Sequence, residues 1–308
     1  MTSRLTPQMA LLLAIPPLMW AGNAVVGRLL VGHVPPLALN AIRWSVALLL
    51  LLPLGWRMLR DHRAILERWK YFSLLGLAGV GCYNAFQYMA LQTSTPLNTT
   101  LIAASSPVWM LAIGALVYDV NAGRRQIAGA ALSLAGVLLV LARGSWSALA
   151  EINLVAGDLL MLLAVFSWAA YSWMLARPPA SMRGAARPTW NWAEFLLIQM
   201  VFGTMWGLAA AGIEAVVLPA RIDWGWPVVA AIAYVAIGPS IIAYYCWGKG
   251  VTAVGPATAA FFANLTPVFA ALMSALLLGQ APQWFHVAAF GLIAAGIVVT
   301  SRPASVAG

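Results

Sequence analysis

Tyr83, Asn84, Gln87 and Tyr88 form a dense group of amides and phenols in the first half of the chain, and Tyr244 and Tyr245 form another in the second. Such groups can hydrogen-bond the ammonium and carboxylate of an amino acid while the rings contact its side chain or a cation. The same residue types also hold membrane helices together, because buried polar groups there need partners. Asn84 and Gln87 are favoured for a solute pathway, since an unsatisfied amide is costly in hydrocarbon. Trp20 and Asn23 pair an aromatic with a polar group early in the chain, and Trp168 and Tyr171 do so at a comparable place later. An interfacial belt would use the same types, but these four lie towards the middle of apolar stretches, a depth that fits cavity lining. Arg28 and Arg43 are the basic residues deep in apolar stretches. Arg28 can snorkel to an interface; Arg43 must meet water, an anion or helix carbonyls, which leaves a substrate carboxylate and a structural bond both open to it. Pro107 and Pro267 each release a backbone carbonyl and permit bending, so they are expected as paired hinges. Ser105 and Asn264 beside them can satisfy those carbonyls or touch substrate.

The elements that must position these groups are membrane spans. The chain of 308 residues is 63% hydrophobic and 8% charged, with mean hydropathy +0.87, a balance that water-soluble domains of this size do not show. Apolar stretches of about 18 to 24 residues predict ten spans, near 8–31, 36–55, 70–92, 97–118, 125–142, 155–176, 192–212, 225–247, 256–279 and 283–301. The net charge of +9 does not point to nucleic acid, because the basic residues mark one membrane face. Arg143 and Arg221 fall in the expected outer loops; Arg4, Arg57 to Lys70, Arg124, Arg125, Arg177, Arg183, Arg187, Lys249 and Arg302 fall in inner segments. The positive-inside rule then puts both termini in the cytoplasm. Nothing before the first span reads as a removable signal. Cys82 and Cys246 lie within spans and are expected as small apolar groups, without a disulfide. The connection from Arg177 to Trp190, with its three prolines and a glycine, reads as a mobile loop.

One offset organises the chain. Pro107-Val108 recurs 160 residues later as Pro267-Val268, and the same offset carries Pro96 onto Pro256 and Gly136 onto Gly296. Five spans per copy force the second copy to cross the membrane in the opposite sense, so the expected fold is all-α: ten transmembrane helices as two inverted five-helix repeats, 1–142 and 155–308, joined by an outer linker at 143–154. Gly129, Ser133 and Gly136 share one face of the fifth span, and Gly296 lies on the tenth. This stripe permits close helix packing, within the chain or in a homodimer.

The stretch Ala90-Leu91-Gln92-Thr93-Ser94-Thr95-Pro96, then Ser105-Ser106-Pro107-Val108, Gly129 and Gly136-Val137, resembles the repeat motif of the EamA branch of the drug/metabolite transporter superfamily. Gly250 to Pro256, Asn264-Leu265-Thr266-Pro267-Val268 and Gly296 resemble its second copy, and Trp20-Ala21-Gly22-Asn23 and Arg43-Trp44 also fit. Where many members carry an acid after the fourth and ninth spans, this chain has Asp119 at the first place and Gly279-Gln280 at the second. The resemblance implies inverted five-helix repeats and outward transport of small metabolites across a bacterial inner membrane. Its pattern is most similar to aromatic amino-acid exporters of the YddG type.

The expected function is therefore secondary export of amino acids or related metabolites by alternating access, with the lipid bilayer and a small molecule as partners and no nucleic acid, cofactor or metal. Export of another metabolite or a drug, and lipid flipping, stay open. An intramembrane enzyme would need paired acids, a metal site or a Ser with a His, and no histidine is expected in mid-membrane. Asp158 and Glu194 lie only near span starts, so transport driven by the substrate gradient or by weak ion coupling is expected.

Overall fold

The computed structural model describes residues 5–94, 96–142, 145, 155–218, 221–278 and 283–301. The expected linker at 143–154 (Ser145 apart), the Gly279-Gln280 position, Thr95 and the residues Arg4, Arg143 and Arg302 lie outside the described residues.

The regular structure described is entirely helical. Helix α1 (Pro7–Leu29) starts with proline in its first turn, and the Thr6 hydroxyl accepts from the Met9 amide at 3.2 Å. Helix α2 (Pro36–Gly55) has no side-chain cap of its own. Its first amides are met across space: Glu214 accepts from Leu37 N at 3.1 Å and Ala38 N at 2.8 Å, a carboxylate at the positive end of the helix dipole. After a short α3 (His62–Glu67) comes α4 (Trp69–Gly76), which runs through a π-helical segment, Leu77–Cys82, into α5 (Tyr83–Thr93). Helices α6 (Pro96–Ala103) and α7 (Ser106–Val117) follow, then α8 (Arg124–Leu141), α9 (Ala156–Ala176) and α10 (Trp192–Val217). Asn191 starts α10 with a capping box, accepting from Ala193 N and Glu194 N while Glu194 accepts from Asn191 N at 2.7 Å. Helix α11 (Trp226–Val235) passes through a second π segment, Ala236–Ile242, into α12 (Ala243–Val254). Helices α13 (Pro256–Ala263), α14 (Thr266–Leu278) and α15 (Trp284–Ser301) complete the described chain.

Among the described residues, six helical stretches, 7–29, 36–60, 99–117, 156–176, 192–217 and 226–254, are long and apolar enough to cross a membrane; 284–300 is apolar but shorter. The other regions expected as spans are helical as well, though interrupted or short. The chain is thus an all-helical, polytopic membrane protein.

The interruptions recur. The two π segments begin 159 residues apart and end 160 apart, at Leu77–Cys82 and Ala236–Ile242. The breaks at 104–105 and 264–265 are also 160 apart. The second π segment contains Pro239, which has no amide to give to a helical bond, and the first contains Gly79 and Gly81. At the breaks, Ser105 and Ser106 donate to the carbonyls of Ile102 and Ala103 at 2.6 and 2.7 Å, and Thr266 donates to Ala263 at 2.6 Å. Pro107 and Pro267 therefore sit in the first turn of a new half-helix, not in the middle of a continuous kinked one, because hydroxyls have already closed the preceding turn.

Helices α8 and α15 pack along most of their length, as do α2 with α10 and α5 with α9. The small-residue stripe is spent on the first contact: a Cβ on Gly129 would lie 2.8 Å from Gly296 O, and one on Gly136 would lie 2.8 Å from Ala289 O. Gly136→Leu is expected to cost about 2 kcal/mol or more through overpacking, seen as a lower midpoint of thermal unfolding in detergent; an unchanged midpoint would mean that these helices separate easily.

The 177–190 connection is pinned rather than loose. Met182 is buried, and Arg68 donates to the carbonyls of Ser181 and Ala186, each at 2.9 Å. Asp61 accepts from the Trp190 indole at 3.2 Å, so this connection and the one at 56–69 share one face of the bundle, here called the basic face. On the opposite face Asp223 meets His33 at 3.3 Å.

Candidate functional site

Arg43 lies in the first half of α2 and is 0% exposed. A bare guanidinium in such a place would be prohibitive, and the fold surrounds it with neutral acceptors. Its Nη1 donates to Asn23 Oδ1 at 3.0 Å, Asn84 Oδ1 at 2.9 Å and the Tyr88 hydroxyl at 2.6 Å. Its Nε and Nη2 donate to Ser240 Oγ at 3.1 and 2.7 Å. The acceptors come from α1, α5 and the second π segment, so one side chain joins parts of both halves of the sequence. None of these partners is acidic. Ser240 is placed for this by the π segment, where its hydroxyl also donates to Val235 O at 2.7 Å. Asn23 Nδ2 extends the network to Gln87 Oε1 at 3.1 Å.

Gln87 lines a cavity of about 50 Å³ together with Trp20, Tyr83, Ser106, Trp168 and Asn264. That space admits little more than water. A larger cavity of about 230 Å³ opens at the basic face, lined by Tyr171, Gln199, Tyr244, Tyr245, Trp190, Trp192, Arg187 and Lys249 among others. Trp168 stands between the two. Its ring centroid lies 5.1 Å from Trp20, 5.0 Å from Tyr83, 5.1 Å from Tyr171, 5.3 Å from Tyr244 and 5.2 Å from Trp247. Aromatic faces and edges at these spacings attract one another beyond simple burial. Beneath the cluster the Tyr171 hydroxyl donates to Gln199 Oε1 at 2.9 Å, and the Tyr244 hydroxyl donates to Gly79 O in the first π segment. Towards the opposite face Leu30, Val34, Leu39, Tyr88, Val228 and Ile232 pack into an apolar cluster.

The residues singled out from sequence divide into three groups. Asn23, Arg43 and Asn84 form the buried network; Trp20, Tyr83, Gln87, Trp168 and Asn264 border the small cavity; Tyr171, Tyr244 and Tyr245 border the large one. Tyr245 is separated from Tyr244: its ring packs at a tilt against Trp192, with centroids 4.5 Å apart, and carries the Lys249 ammonium 4.7 Å away. Asn264 donates to Ser133 Oγ at 2.8 Å, and its buried Oδ1 has no hydrogen-bond partner among the described residues. Ser105 lines neither cavity, because its hydroxyl is committed to Ile102 O; its neighbour Ser106 and the adjacent Pro267 do line the small one. Ser240, Gln199 and Trp247 were not marked by the sequence. Each is an ordinary helix residue whose role comes from a partner far away in the chain.

The EamA-like transporter family matches residues 8–142 and 155–302. The chain is 26% identical to an uncharacterized transporter of Archaeoglobus fulgidus, over 94% of this chain and 96% of that one. It is 26% identical to a probable amino-acid metabolite efflux pump of Salmonella typhimurium, over 91% of this chain and 90% of that one. It is 25% identical to the aromatic amino acid exporter YddG of Ancylobacter novellus, over 88% and 89% of the two chains. A protein solved by crystallography shares the fold with a TM-score of 0.73 at 21% identity, covering 95% of this chain and 96% of its own. Two matched segments that together span nearly the whole chain, on an all-helical polytopic scaffold, make this protein a member of the EamA-like transporter family.

Proposed function

We propose that this transporter exports small metabolites, amino acids and aromatic ones among them, across the bacterial inner membrane by alternating access. In this reading the chain forms ten spans in two inverted five-helix repeats, 1–142 and 155–308, linked outside at 143–154, with both termini cytoplasmic. The observation that carries it is the aromatic cluster around Trp168, which separates a cavity open at the basic face from a smaller one behind it. The recurrence of π segments and helix breaks at one offset supports it, since inverted repeats that exchange conformations would open the second side by the same movements as the first. The names of the Salmonella and Ancylobacter relatives favour amino-acid cargo.

In the mechanism, cargo from the cytoplasm occupies the large cavity between Tyr171, Tyr244 and Tyr245. Rotation of the Trp168 cluster then passes it to Trp20, Tyr83, Gln87 and Asn264, while Asn23, Arg43 and Asn84 tie that wall to the outer gate. The breaks before Pro107 and Pro267 serve as paired hinges. Cargo moves down its own gradient, and no cofactor or chemical step is involved.

Counterflow of labelled phenylalanine in proteoliposomes preloaded with unlabelled phenylalanine tests this. Gln87→Ala is expected to lower the initial rate about tenfold, because it removes the acceptor that holds Asn23 and a polar group of the cavity wall. Asn84→Ala should do at least as much, since Asn84 Oδ1 also accepts from Arg43. Absence of counterflow with every amino acid tried would remove the amino-acid reading and turn attention to other cargo, lipid flipping being separable by a scrambling assay.

A further inference from the structure

We propose that the cavity at the basic face is a docking site for organic anions, in which Arg187 and Lys249 capture a carboxylate beside aromatic walls and turn cations away. This deepens the transport reading and rests on it.

The basic residues of this face are not equivalent. Arg60 lies over Trp56 at 4.3 Å and Lys70 over Trp69 at 5.9 Å. Arg63 is paired with Glu67 at 2.8 Å. Arg68 meets Glu67 at 3.1 Å and spends its other donors on Ala64, Ser181 and Ala186 carbonyls. Of the described basic residues, only Arg187 and Lys249 line the 230 Å³ cavity. Their positions are built rather than accidental. The Arg68 clamp on Ala186 fixes the residue before Arg187, whose guanidinium lies 5.7 Å from the Phe195 ring. Lys249 rests 4.7 Å from the Tyr245 ring, which is itself against Trp192.

Among the described residues, no acidic side chain lines this cavity. The acids adjoining its walls are Glu194, engaged by Asn191 N, and Asp61, engaged by the Trp190 indole and Ala64 N. Two cations without a facing carboxylate, in a concave site with apolar walls, concentrate anions and repel cations. Trp190, Trp192, Phe195 and Tyr245 provide ring contacts for an aromatic or other apolar body attached to the anion. A zwitterion would dock carboxylate first. A basic residue that serves only to orient the chain in the membrane has no need to line a cavity with aromatic walls.

The test uses three ligands with one ring and similar reach: phenylacetate, 2-phenylethanol and phenethylamine, titrated against the full chain in neutral detergent by quenching of tryptophan fluorescence at low salt. Phenylacetate is expected to bind about tenfold more tightly than phenethylamine, with the alcohol between them. Arg187→Gln with Lys249→Gln should reduce that ratio to about twofold or less, high salt should do the same, and Lys249→Arg should keep it. Equal binding of acid and amine by the wild type, a preference that persists in the double variant, or no saturable binding by any of the three overturns the proposal. Charge preference without counterflow of any amino acid leaves this site standing and removes the amino-acid reading; counterflow without charge preference does the reverse.

Discussion

Arg43→Met is expected to abolish transport and lower the thermal midpoint, because a single guanidinium satisfies acceptors on three other elements. Hydrogen bonds within membranes average about 0.6 kcal/mol, so the five that Arg43 makes come to about 3 kcal/mol before the charge is considered. Removing the donor also strands Asn84 Oδ1, for which Arg43 is the hydrogen-bond donor, while Asn23 Oδ1 keeps the Tyr88 hydroxyl at 2.8 Å. That asymmetry gives a sharper test. Arg43→Met combined with Asn84→Leu replaces both halves of the worst mismatch with apolar volume, and such paired replacements recover stability. The double variant should regain most of the thermal midpoint and none of the phenylalanine counterflow. Arg43→Lys should fold but transport poorly, since a lysine cannot span Asn23, Asn84, Tyr88 and Ser240 with one planar fork. Wild-type counterflow in Arg43→Met would leave the residue a structural tie alone.

The contrast between what the sequence disclosed and what it hid follows from the range of the interactions concerned. Helical stretches such as Pro36–Gly55 and Ala156–Ala176 match the expected spans closely, because burial in lipid is a local, additive property of about twenty residues. The 160-residue offset drew attention to Pro107 and Pro267, yet the breaks themselves lie two to three residues earlier, where hydroxyls of Ser105, Ser106 and Thr266 close the preceding turn. The π segments are invisible to hydropathy, since a change in hydrogen-bond register leaves composition unaltered. Tyr244 and Tyr245 look alike in sequence, but successive helix residues point about 100° apart. One joins the Trp168 cluster while the other meets Trp192 and Lys249. Ser240 is 197 residues from Arg43 and became its partner only through the fold.

Trp168→Ala is expected to break the coupling of the transport cycle. The indole is in ring contact with Trp20, Tyr83, Tyr171, Tyr244 and Trp247, and its loss should destabilise the protein by about 3 to 5 kcal/mol through the cavity left behind. It also removes the partition between the large cavity and the small one. Trp247→Ala separates these consequences: Trp247 belongs to the same cluster and donates to Ser172 Oγ at 3.0 Å, but borders neither cavity. Both variants should unfold at lower temperature. Only Trp168→Ala should also convert saturable phenylalanine counterflow into a slow leak that unlabelled phenylalanine does not trans-stimulate, while Trp168→Phe, which keeps a ring at the partition, should retain part of the exchange. A folded Trp168→Ala protein that exchanges phenylalanine at the wild-type rate would mean that cargo does not pass this cluster, and the path would then have to be sought along another helix interface.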